Sequence, residues 1–82
     1  ISDVPLKLTQ LPLSRGTKGT DVVALQNALN SLGYSVGVVD GSFGLKTYNA
    51  VMLLQKANYL PQTGIVDAST LKAINDALIK KS

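Results

Sequence analysis

The sequence predicts an all-α fold, a compact three-helix domain containing two pseudo-repeated loop-helix units. Three observations carry that prediction. Apolar residues recur at helical spacing in three separate segments, glycine- and proline-bearing stretches divide those segments, and one loop-into-helix pattern occurs twice. VDGSFGLKTYNAV at Val39 to Val51 is followed by a looser copy, TGIVDASTLKAI, at Thr63 to Ile74. Gly41 and Gly64, Phe43 and Val66, Thr47 and Thr70, Ala50 and Ala73, and Val51 and Ile74 are each 23 positions apart. Two copies in so short a chain fit one pseudo-symmetric domain rather than a solenoid.

Residues 1–12 read as an extended lead-in or linker, with residues 13–82 forming the domain. The lead-in alternates leucine with polar residues around Pro5 and Pro12, which disfavours helix and leaves its leucines to dock partly on the core. LSRGTKGT then punctuates a turn with Gly16 and Gly19, and Thr20 or Asp21 is placed to cap the first helix. That helix is expected from Asp21 to about Leu32. Val22, Leu25, Leu29 and Leu32 form one stripe, Asn27, Asn30 and Ser31 face elsewhere, and Gly33 ends it in a left-handed conformation.

Tyr34 to Gly44 is a loop in which Gly37, Gly41 and Gly44 permit backbone angles that other residues avoid, and Asp40 suits a turn whose carboxylate binds nearby amides. The second helix is expected from Leu45 to about Ala57, burying Thr47, Ala50, Val51 and Leu54, with Tyr48, Met52 and Gln55 on the neighbouring face. Pro61 and Gly64 interrupt the crossing that follows. A third helix from about Ala68 to Ile79 buries Leu71, Ile74 and Leu78, with Asp67 or Ser69 as its cap and Lys80 and Lys81 suited to its negative end.

Composition narrows the chemistry. The chain has 82 residues, 45% of them hydrophobic and 16% charged, which describes one small globular domain without room for a deep enzyme pocket. It contains no cysteine and no histidine, so disulfides, the usual soft metal ligands and the usual nucleophilic triads are excluded. The acids are Asp3, Asp21, Asp40, Asp67 and Asp76. None makes an evident glycosidase pair, and DGSFG lacks the ligand series of a calcium loop. No metal and no cofactor is expected.

The net charge of +3 is carried by scattered basic residues, which argues against a nucleic-acid partner and still favours an anionic polymer. No stretch reads as a signal peptide or reaches the length of a membrane span. A chain beginning at Ile1 reads as a processed or excised module, and a monomer is expected.

Several short motifs occur in a fixed order: a glycine pair before DV-x-x-LQ at Asp21 to Gln26, GY at Gly33 and Tyr34, DG-x-FG-x-x-T at Asp40 to Thr47, AV-x-x-x-Q at Ala50 to Gln55, and G-x-V-x-x-x-T at Gly64 to Thr70. From Leu13 to Leu78 the chain resembles the peptidoglycan-binding domain family of small three-helix modules. It departs from that pattern at Leu54, Leu45 and Thr63, the last replacing a frequent aspartate.

The resemblance implies non-catalytic binding of bacterial cell-wall peptidoglycan, glycan strand or stem peptide. It also implies a covalently linked wall-active enzyme and an extracellular, wall or periplasmic setting, bacterial or phage-encoded. Other readings are a protein-interaction or pro-segment-like domain and a helix-turn-helix DNA binder. The cysteine switch of a metalloprotease pro-segment is absent, and LKAINDALIKK offers few base-reading side chains.

For binding, the expected residues are Tyr34, Asp40, Ser42, Tyr48, Asn49 and Met52, around the first glycine loop and the opening of the second helix. The expected structural set is Gly41, Phe43, Gly44, Thr47, Gln26, Gln55, Gly64 and Thr70. Phe43 plugs the core, Gln26 and Gln55 tie loop carbonyls to their helices, and Thr47 and Thr70 bond backbone at helix starts. Arg15 and Lys18 stand in a solvated turn.

Overall fold

A computed structural model describes Leu6, Leu8 and residues 12–81, so most of the expected lead-in lies outside the described residues. Three helices follow in order, α1 at Thr20–Ser31, α2 at Leu45–Ala57 and α3 at Ala68–Lys81. Each packs against the other two. The expected apolar stripes are the core: Val22, Leu25 and Leu29 from α1, Ala50, Val51 and Leu54 from α2, and Ile74 from α3 are all buried. Leu32, Leu71 and Leu78 pack partly buried against them.

Outside the helices, Leu6, Leu13, Val36, Phe43 and Val66 complete the core. Phe43, 1% exposed, plugs it from the first loop, and Val66 does so from the second. Leu13 exchanges both backbone hydrogen bonds with Val66, at 2.9 and 2.8 Å. Beyond it the chain runs antiparallel to the first loop, where Gly16 N–H donates to Phe43 O, Phe43 N–H to Thr17 O, and Gly19 N–H to Gly41 O. These isolated bridges replace a sheet and hold the chain entering α1 across both loops.

Leu6 is also buried, and Asn75 of α3 clasps its backbone. Leu6 N–H donates to Asn75 Oδ1 at 2.7 Å, and Asn75 Nδ2 donates to Leu6 O at 3.0 Å. A buried amide satisfied from both sides in this way fixes a segment that has no secondary structure of its own.

Three local expectations are corrected. The residue at the start of α1 is Gly19 rather than the expected Thr20 or Asp21, and glycine offers no side chain to cap with, while Asp21 stands in the first turn. Gly44 has φ −100 with open space where a Cβ would stand, so it needs none of glycine's freedom. Thr47 and Thr70 serve chiefly as acceptors for glutamine amides. Thr70 reaches a backbone carbonyl only at 3.5 Å, because the nearer polar partner in each case is the buried glutamine. The cap expected on α3 is present, with Thr70 N–H donating to Asp67 Oδ1 at 2.9 Å.

Candidate functional site

Each loop that leads into a helix is pinned by a glutamine from the preceding helix. Gln26, 1% exposed, accepts Gly41 N–H at Oε1 (2.9 Å), and its Nε2 faces Asp40 Oδ1 (3.1 Å), Ser42 O (3.0 Å) and Thr47 Oγ1 (3.0 Å). Gln55 repeats the set: Gly64 N–H reaches Oε1 at 2.9 Å, and Nε2 faces Thr63 Oγ1 (3.2 Å), Ile65 O (3.0 Å) and Thr70 Oγ1 (3.0 Å). Both amides are fully engaged, as a buried amide must be if it is not to destabilise the fold. Thr63, 23 positions after Asp40, does Asp40's work. Its hydroxyl takes Ile65 N–H at 3.2 Å as Asp40 Oδ1 takes Ser42 N–H at 2.9 Å.

The loops therefore share a scaffold and differ in charge. Asp40 keeps its carboxylate exposed at the surface while held by Ser42 N–H and the Gln26 amide, which lower its pKa below the usual value against a small opposing desolvation. Asp67 is lowered likewise, first by Thr70 N–H. Because the folded pKa values lie below the unfolded value of 3.8, this contribution is present above about pH 4 and is lost as pH falls through the folded values. A thermal melt series from pH 6 to pH 2 should show Tm falling below pH 4. Asp40→Thr, which borrows the second loop's chemistry, should show a shallower fall, and an unchanged profile in that variant would remove Asp40 from the acid response.

Asp40 and Ser42 stand together between two shallow hollows. One is lined by Lys18, Gly19, Thr20, Val23 and Gly41, the other by Val36, Val38, Leu45, Lys46 and Thr47 among others. A carboxylate and a hydroxyl there face one lysine on each side, beside the exposed apolar side chains of Val38 and Leu45. That arrangement suits a polar ligand with hydrogen-bonding groups and some negative charge.

The other expected binding residues line neither hollow. Tyr48 is half-buried, with the Arg15 guanidinium 5.5 Å from its ring centroid and its ring close over Gly64. Arg15 is thus engaged with an aromatic face rather than simply solvated. Tyr34 packs partly buried against the core, with its N–H bonded to Leu29 O. Asn49 is exposed and Met52 half-buried on α2. Of the six, Asp40 and Ser42 share the hollows, while Tyr48 lies against Arg15 and Gly64.

Two surface features escape sequence reasoning. Lys46 lines one hollow with nothing in the sequence to mark it, whereas Lys18, expected in a solvated turn, lines the other. Tyr59 is 97% exposed with φ 59, and the visible signal was that α2 ends on tyrosine where α1 ends on Gly33. Among the described residues no cluster of acids could hold a metal, and no helix is long and apolar enough to cross a membrane.

The family model described as "Putative peptidoglycan binding domain" matches residues 18–74. N-acetylmuramoyl-L-alanine amidase CwlM of Mycobacterium tuberculosis is 45% identical over 56 residues, covering 68% of this chain and 14% of that protein. The spore cortex-lytic enzyme of Bacillus cereus is 41% identical over 58 residues, covering 71% of this chain and 22% of that protein. The chain therefore spans less than a quarter of the length of these curated relatives. Among solved structures, the SleB N-terminal domain superposes with a TM-score of 0.83 at 35% identity, covering 87% of this chain and 97% of that one.

Proposed function

The chain belongs to the peptidoglycan-binding domain family, and from that premise we propose that it holds an attached wall-active enzyme on bacterial peptidoglycan without catalysing a reaction itself. The observation that carries this reading is the span of the match, residues 18–74, which takes in both glutamine-pinned loops and the hollows beside Asp40. Relatives of this domain are modules of amidases and cortex-lytic enzymes, and such attachment raises the local substrate concentration of a tethered partner rather than supplying chemistry. The extracellular face of the cell is its proposed place of work, and a monomer its proposed state.

The two pinned loops are read here as copies of one unit. Their shared residues serve folding, and their differing residues serve binding. The first loop and the opening of α2 carry Asp40, Ser42, Tyr48 and Asn49 where the second copy has Thr63, Ile65, Leu71 and Lys72, and that difference supports the first copy as the wall-facing one, with Asp40 and Ser42 at the hollows.

Co-sedimentation with purified sacculi is the test. The domain should pellet with intact and with teichoic-acid-stripped walls, and Asn49→Ala, on an exposed position, should pellet less while folding normally. Failure with both wall preparations would sink the reading. Loss of binding after stripping alone would reassign the ligand to an anionic polymer, consistent with the net charge of +3.

A further inference from the structure

α1 and α2 end in the same backbone motif. After α1, Gly33 N–H bonds Asn30 O at 3.1 Å and Tyr34 N–H bonds Leu29 O at 2.9 Å, with Gly33 at φ 89. After α2, Tyr59 N–H bonds Lys56 O at 3.2 Å and Leu60 N–H bonds Gln55 O at 2.8 Å, with Tyr59 at φ 59. This paired-bond ending wants a left-handed residue, which glycine supplies freely and a bulky side chain adopts only under strain. Tyr59 is the one described non-glycine residue with positive φ, and its side chain gains nothing from burial, being 97% exposed. A residue that strains the backbone and packs against nothing stabilises no part of the fold, and such outliers point to function.

We propose that Tyr59 is a ligand-contacting platform that stacks on a sugar ring of the glycan strand, a reading that rests on the wall-binding function proposed above. At 97% exposure both faces of the ring are open to a ligand. Its sequence neighbours Lys56 and Gln62 are exposed, as is Asn58, whose amide donates to Leu54 O at 2.8 Å. An aromatic face flanked by hydrogen-bonding side chains matches a pyranose, which presents apolar C–H groups on its faces and hydroxyl and amide groups at its edge. The contact lies at the C-terminal end of α2, so the glycan would meet the domain at a second point beyond the first loop.

Tyr59→Gly and Tyr59→Phe separate this role from a structural one. Tyr59→Gly should raise Tm by about 4 °C or more, because the ending then matches that of α1. The same variant should weaken binding to sacculi about five-fold or more, while Tyr59→Phe stays within about two-fold of wild type. Walls stripped of stem peptides should still bind the wild-type domain and still discriminate against Tyr59→Gly. Equal binding of wild type and Tyr59→Gly to intact sacculi would overturn the proposal while leaving wall binding in place. Discrimination that vanishes on peptide-free glycan would overturn the sugar assignment. A wild-type domain that pellets with no wall preparation removes the wall reading itself, and this contact with it.

Discussion

Gln26→Leu is expected to destabilise the domain by about 3 kcal/mol or more, enough to unfold a substantial fraction of so small a protein at room temperature. Leucine fills nearly the same volume, so lost packing is not the cause. The cause is that Gly41 N–H and the Thr47 hydroxyl, both buried, lose their partner at once, and Ser42 O and Asp40 lose theirs at the rim. Each buried orphan costs about 1–3 kcal/mol. Urea denaturation followed by circular dichroism measures the effect as a lowered midpoint. The double variant Gln26→Leu with Thr47→Val should cost less than the sum of the singles, since valine removes one orphan. Gln55→Leu should behave in parallel through Gly64 and Thr70. A loss below about 1 kcal/mol in Gln26→Leu would mean that water replaces the amide and that the pin is not structural.

The second large effect is expected at Gly64. Its φ of 73 strains any side chain, and a Cβ there would overlap the Tyr48 ring, whose Cζ lies 2.9 Å away and whose nearer edge lies closer still. Strain of about 1 kcal/mol and overpacking of about 1–3 kcal/mol add to a loss of about 2–4 kcal/mol for Gly64→Ala. Gly33→Ala is the control, because it shares the positive φ but has open space around its Cβ position and should lose only about 1 kcal/mol. Thermal melts of the two variants should differ accordingly. Combining Gly64→Ala with Tyr48→Ala should recover the steric part, and equal losses at Gly33 and Gly64 would show that Tyr48 simply turns aside.

Much of this was legible in the sequence because it is local. The helices carry their own apolar periodicity, so the expected bounds of α2 match Leu45–Ala57, and Gly33, Asp67 and Phe43 occupy the positions that turn, cap and core chemistry demand. The expectation that Gln26 and Gln55 tie loop carbonyls to helices matches their bonds to Ser42 O and Ile65 O. The partners of those amides were only half legible. Threonine at a helix start reads as a backbone partner, yet a buried glutamine from another helix competes for it, and such competition leaves no periodic mark. The Leu6 clasp by Asn75, the Arg15 stack on Tyr48 and the close approach of the Tyr48 ring to Gly64 are likewise contacts between distant segments. The binding face suffered most. Six polar and aromatic residues close in sequence were grouped together, but the helix and loop geometry leaves only Asp40 and Ser42 sharing hollows.

The two glutamine pins and the Leu6 clasp also differ in what they ask of the unfolded chain. Gln26 reaches its loop across 14 to 21 residues and Gln55 across 8 to 15, whereas Leu6 and Asn75 are 69 apart. Closing the longer loop costs about 1.4 kcal/mol more in chain entropy than closing one of 15 residues. The pins can therefore form while most of the chain is still searching, and the clasp can form only once all three helices stand in place. An early-forming contact sets how fast the domain folds and a late one how slowly it comes apart. Asn75→Ala is therefore expected to act chiefly on the rate of unfolding and Gln26→Leu on the rate of folding, which stopped-flow measurements on the two variants check.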